Sequence, residues 1–241
     1  MLRFRSISLF MAGLCVSSVT AFAATVVFTD GTFNLSNYST TAVFKSAASI
    51  SLDQCISCGN PGNALQIIGT WVTGTGIFDV GFVNKTFSYD PKAQGAVATI
   101  SASVDKNVIS SVSLLTASVF HPLIEQDGIY YLAAVTGPPV LAAYNTISQS
   151  GLVATDFVEF NFATGTFGTA NPNFDGDTML FGLGHIGGAR GLPAGPTFEA
   201  DYDNLRLAVA MTVPEPSTLL LFATALAGVL FISRSKLAKQ E

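Results

Sequence analysis

Glu199-Ala200-Asp201-Tyr202-Asp203 is the segment of this 241-residue chain whose residue types and spacing suit acid–base chemistry. On an extended strand, side chains two apart share a face, so the three carboxyls point the same way. Paired carboxylates on one face are what a retaining glycosidase requires. A second oxygen-rich segment, Asn171-Pro172-Asn173-Phe174-Asp175-Gly176-Asp177, sets Asn171, Asn173, Asp175 and Asp177 at alternate positions around a glycine. That is the pattern of the first half of a calcium loop. Position twelve counted from Asn171 is Gly182 and not Glu, which excludes an EF-hand. The loop therefore has two readings, a plain polar turn or, together with Asp201 and Asp203, a set of structural calcium ligands. Calcium is the one cofactor to expect.

Cys55 and Cys58 stand as C-x-x-C, followed by Gly59, Pro61 and Gly62. Those three residues forbid the helix that a thioredoxin-type redox pair needs at this point, and zinc would need two further ligands, which His121 and His185 would supply only by a coincidence of folding. A local structural disulfide is the expectation. His121 precedes Pro122 and His185 lies between Gly184 and Ile186, so both read as loop or strand-end residues. Neither is accompanied by a nucleophile elbow, and no catalytic residue is assigned.

Both ends of the chain carry addresses. Arg3 and Arg5, the apolar run Ile7 to Val19 and the small-residue pair Ala21 and Ala23 have the layout of a secretory signal peptide, with cleavage leaving Ala24 first. Cys15 follows the bulky Leu14, which argues against a lipoprotein. At the other end Val213-Pro214-Glu215-Pro216 leads into an apolar stretch from Leu219 to Ile232 and then Arg234, Lys236 and Lys239. As a helix that stretch would span about 21 Å, short against a ~30 Å hydrocarbon core. The two prolines stop backward extension, and the basic end stays cytoplasmic under the positive-inside rule. The tail resembles the PEP-CTERM sorting signal of Gram-negative bacteria. That resemblance implies general secretion, an inner-membrane-anchored precursor held by a single membrane helix, cleavage by an exosortase-type enzyme, and delivery to the cell surface or its polysaccharide matrix.

The domain expected between the signals, residues 24–212, carries six basic against fourteen acidic side chains, a net charge of −8. Such a surface repels phosphate backbones, which argues against nucleic acid as a partner. Strand periodicity runs through it. Ala98, Ile100, Ala102 and Val104 alternate with Thr99, Ser101, Ser103 and Asp105; Val158, Phe160 and Phe162 alternate with Phe157, Glu159 and Asn161; Leu205, Leu207 and Val209 read inward, with Asn204, Arg206 and Ala208 outward. Further strands are predicted at 26–28, 65–69, 76–82, 112–115, 129–135 and 179–183. Turn residues punctuate them at Asp30-Gly31, Gly59–Gly62, Asp90-Pro91, Asp127-Gly128, Gly137–Pro139, Asn171-Pro172 and Gly187–Pro196. About ten short strands so spaced predict an all-β, two-sheet antiparallel sandwich of jelly-roll type.

Three segments, Gly59-Asn60-Pro61-Gly62, Phe87-Ser88-Tyr89-Asp90-Pro91 and Asp201 to Leu207, resemble concanavalin A-like and laminin G-like jelly rolls. The resemblance implies a sandwich whose first and last strands lie together. Laminarinase-like hydrolases on a related sandwich use a Glu-x-Asp-x-Glu strand; here the last acid is Asp203, and the array begins the terminal strand instead of a central one. The expectation is accordingly a non-enzymatic exported surface or matrix protein that binds glycan or exopolysaccharide. Its alternatives are a carbohydrate-active enzyme using the Glu199 array and an ice-binding protein. For the last, Thr70, Thr73 and Thr75 are too few and too irregular to form the flat threonine array it needs.

Overall fold

The computed structural model describes residues 24–45, 48–71, 75–110, 115–133, 143–190 and 197–212. The period-two alternation of the sequence becomes thirteen strands among them: β1 (Thr25–Asp30), β2 (Tyr38–Lys45), β3 (Ala48–Gly59), β4 (Gly62–Trp71), β5 (Thr75–Tyr89), β6 (Val97–Ser110), β7 (Leu115–Gln126), β8 (Ile129–Ala133), β9 (Asn145–Leu152), β10 (Phe157–Asn161), β11 (Thr166–Phe167), β12 (Met179–Arg190) and β13 (Thr197–Met211). One sheet runs β3-β4-β13-β6-β9, with β1 also paired to β13; the other runs β11-β10-β8-β7-β12-β5-β2. Every pairing is antiparallel.

The two inner faces form the core. Leu65, Ile67, Ile100, Val104, Ala200, Tyr202, Leu207 and Val209 come from the first sheet, and Phe78, Val80, Phe82, Phe120, Ile124, Phe181 and Leu183 from the second. Each such side chain contributes roughly 1.5–3 kcal/mol on burial. β1 lies antiparallel to β13 from Thr25↔Ala210 to Asp30↔Leu205, so the first and last strands do meet. Tight turns fall where the sequence places them. Asp127 and Gly128, both at positive φ, close the β7–β8 hairpin. Asp90 caps a single helical turn, Pro91–Gln94, through its carboxylate.

Four expectations are corrected. The predicted strand at 179–183 continues to Arg190, so Gly187 and Gly188 are strand residues and not part of a turn. Gly187 is glycine because the Phe78 ring occupies the space where a Cβ would stand, 2.3 Å from its Cζ. Phe157 enters the main core, while Phe160 and Phe162 pack with Val83, Leu123 and Leu132 in a second apolar cluster. β10 is thus covered on both sides, which alternation alone does not reveal. The histidines are interior strand residues: His121 lies in β7 with Nδ1 2.7 Å from the Ala133 carbonyl, and His185 lies in β12, wholly buried, stacked on Phe78. Finally, β13 is last in the chain yet central in its sheet, flanked by β4 and β6, so the Glu199 array does not stand on a terminal edge.

Candidate functional site

Alternation along β13 turns Ala200 and Tyr202 into the core and Glu199, Asp201 and Asp203 to the opposite face. Each acid meets its cross-strand neighbours: Asp201 lies between Gln66 of β4 and Asn107 of β6, and Asp203 lies opposite Asp105. The Gln66 amide donates to Glu199 Oε1 at 2.8 Å and to Asp201 Oδ1 at 3.4 Å. Burial, and then the Glu199 charge, push the Asp201 carboxyl up to about 6, while the Gln66 amide works against the rise.

Asp203 is differently employed. It is wholly buried, and its two oxygens accept from the backbone N–H of Asn60 at 2.5 Å and of Asn204 at 2.6 Å. The Asn60 bond docks the β3–β4 turn against the sheet, and the Asn204 bond is local to β13. The Cys55–Cys58 disulfide forms just ahead of that turn, as the sequence leads one to expect. The Tyr144 hydroxyl donates to the Cys58 carbonyl at 2.6 Å. Burial, followed by the charges of Asp201, Asp203, Asp105 and Glu199, keeps that phenol protonated. Asp105 accepts from Thr146 and, at 2.9 Å, from the Asn204 amide.

The proposed calcium loop is not assembled as the sequence suggests. Asn171 donates its amide to the Phe157 carbonyl, Asn173 Oδ1 accepts from the Asp175 N–H, and Asp177 pairs with Lys92. The Gln126 amide further ties down the carbonyls of Asn173 and Asp177. Of the four side chains, Asn173 is thus turned to its own loop, Asn171 to β10 and Asp177 to Lys92. Asp201 and Asp203 stand apart from them on β13. Among the described residues, no group of three or more His, Cys, Asp or Glu is gathered to hold a metal ion.

Gln66, Asn107 and Tyr144 escape sequence reasoning because they come from other strands and loops; only Gln66, polar between Leu65 and Ile67, carries a local hint. Ala24 is described, its carbonyl accepting from the Met211 N–H. Ala21, Ala23, Val213, Pro214, Glu215, Pro216, Arg234, Lys236, Lys239 and the apolar stretch 219–232 lie outside the described residues. Among the residues that are described, no helix is long and apolar enough to cross a membrane.

Residues 212–235 match the PEP-CTERM protein-sorting motif. The motif implies an exported protein that is anchored in a membrane before exosortase processing. No curated protein matches the chain. Among solved structures, the chain is similar to the family 11 carbohydrate-binding module of the cellulosomal cellulase Lic26A-Cel5E of Clostridium thermocellum (TM-score 0.46, 16% identity, 79% of this chain and 99% of that one). It is also similar to the mannan-recognising module TmCBM27 (TM-score 0.35, 15% identity, 78% and 99%) and to basic winged bean lectin (TM-score 0.34, 9% identity, 79% and 100%). Likenesses this distant carry no argument about function.

Proposed function

We propose that this chain is an exported, exosortase-processed protein of a Gram-negative cell surface or matrix whose sandwich binds polysaccharide without cleaving it. The observation that carries the binding role is the carboxyl–amide row of Glu199, Asp201, Gln66 and Asn107 on the central strands. Sugar hydroxyls are donors and acceptors at once, and a row alternating acceptor carboxyls with donor amides, held rigid on a sheet, suits them. Against cleavage stands Asp203, the acid that would have to protonate a leaving group. It is buried, and both its oxygens are engaged by backbone N–H groups.

A glycan array probed with the full-length protein tests the reading. Gln66→Ala and Asp201→Asn are expected to weaken the retained glycans by about tenfold each, with no reducing ends released from any glycan. Unchanged retention in both variants would remove the carboxyl–amide row from the function. The second reading, a carbohydrate-active enzyme, is favoured by one feature: an Asp201 protonated to about pH 6 has the character of a general acid. Release of reducing ends that disappears in Glu199→Gln would establish that reading.

A further inference from the structure

On the other sheet, a hollow of about 360 Å³ opens beside the second apolar cluster. Its size is within the range of small-molecule sites, about 300–1,000 Å³. Thr41, Ile129, Tyr130, Glu159, Asn161 and Phe162 are among the residues that line it. The aromatic part is rigid. Phe162 lies over Gly81, Phe160 meets Phe162 at 4.7 Å between centroids, and Tyr130 stands edge-on to Phe162 at 5.3 Å. Phe160 and Phe162 are buried, whereas Tyr130 is half-buried and keeps a surface toward solvent.

The polar lining is equally specific. Asn161 Oδ1 accepts from the backbone N–H of Ala163 at 2.8 Å and of Thr164 at 3.3 Å, which spends the amide oxygen on the turn and leaves the Nδ2 donors for a ligand. Thr41 brings a hydroxyl. The charge acting on Tyr130 is negative, from Glu125, so an anionic ligand is repelled.

A fixed aromatic ring beside one amide donor and one hydroxyl matches a molecule with an apolar C–H face and a rim of hydroxyls. We propose that this hollow is a second binding site, taking a neutral pyranose unit of a polysaccharide. Tyr130 lies against the C–H face of the sugar, and Asn161 and Thr41 bond its hydroxyls. The proposal shares with the carboxyl–amide row the premise that the protein meets polysaccharide, but it uses none of the same residues, so each can fail alone.

The test titrates the full-length protein with cellotetraose, mannotetraose and the anionic tetragalacturonate, followed by saturation-transfer NMR, in a Gln66→Ala background that weakens the opposite sheet, so that the response to the Tyr130 and Asn161 variants reports on the hollow. A neutral tetraose is expected to bind in that background. Tyr130→Ala should weaken it by about tenfold, and Asn161→Asp, which keeps both acceptor bonds of the turn while deleting the donors, by several-fold. Tyr130→Leu, which keeps apolar bulk without the ring, separates stacking from folding and should also weaken binding. No binding of either neutral tetraose at about 10 mM, equal binding of tetragalacturonate, or affinity unchanged in Tyr130→Leu and Asn161→Asp would each overturn the proposal.

Discussion

Lys106 is an inward-facing cation on β6, wholly buried, its amine donating to the Ser118 carbonyl and lying 5.8 Å from the Tyr202 ring centroid. Burial pulls its ammonium down to about 7. The same pocket presses His185 well below the usual imidazole value, through burial first and then through the charges of Lys106 and His121. The folded-state value of Lys106 lies below the unfolded one, so between about pH 7 and 10 the unfolded chain binds more protons and stability rises with pH. The gain is on the order of 3 kcal/mol from pH 7 to 9.5, before tyrosine ionisation begins to oppose it. Urea melts of the wild type should show that rise, and Lys106→Met should flatten it while matching the high-pH stability. A wild type equally stable at both pH values would contradict the buried, neutral amine.

A second effect at this scale has the opposite sign. Asp201 is raised by burial and by Glu199, so its contribution is full below the unfolded carboxyl value and fades as pH climbs through about 6. Asp201→Asn should therefore raise the melting temperature at pH 7.5 relative to wild type and leave it nearly unchanged at pH 4. Equal effects at both pH values would show that burial does not raise the Asp201 carboxyl.

At the scale of the element, β13 does two jobs that a straight strand cannot combine. Glu199, Asp201 and Asp203 face away from the core, while Leu205, Leu207 and Val209, also odd-numbered, face into it. A register shift between Asp203 and Arg206 reconciles them: three residues of β13 advance against two of β6, and Asn204 takes φ 51° to make the bulge. Its amide then bonds the Asn60 carbonyl at 2.7 Å and Asp105 at 2.9 Å, tying the bulge to the β3–β4 turn. Asn204→Gly loses those bonds but keeps the conformation, whereas Asn204→Ala loses both. The alanine variant should therefore be less stable than the glycine variant by about 1 kcal/mol in urea unfolding. If the two are equally stable, the left-handed conformation carries no cost and the bulge is set elsewhere.

For the whole molecule, the consequential event is removal of its ends. The described residues from Ala24 to Thr212 form one compact unit, and the matched sorting motif begins at its last residue. Loss of the tail therefore leaves the β1–β13 pairing and both sheets intact. Intact-mass measurement of the surface form should give an N-terminus at Ala24 and a C-terminus truncated within the motif region. Replacing Pro214 and Glu215 by Ala should leave the full-length precursor in the membrane fraction. A complete tail recovered from the surface fraction would refute processing.

Local patterns determine a good deal of this protein unaided. The sorting motif is contiguous, so Val213 to Lys239 can be recognised from order and spacing alone. Period-two alternation at Ile100 to Val104 and the Asp127-Gly128 turn depend on near neighbours, and so does the Cys55–Cys58 bridge. What depends on distant partners waited for the tertiary structure. Whether the Glu199 array stood at an edge or at the centre was decided by which strands bond to β13. The polar groups of the Asn171 loop were claimed by Gln126, Lys92 and the Phe157 carbonyl, which come from other elements. Nothing within a few residues of any of these encodes the outcome, since each depends on a backbone or side-chain group brought across the sheet from tens of residues away.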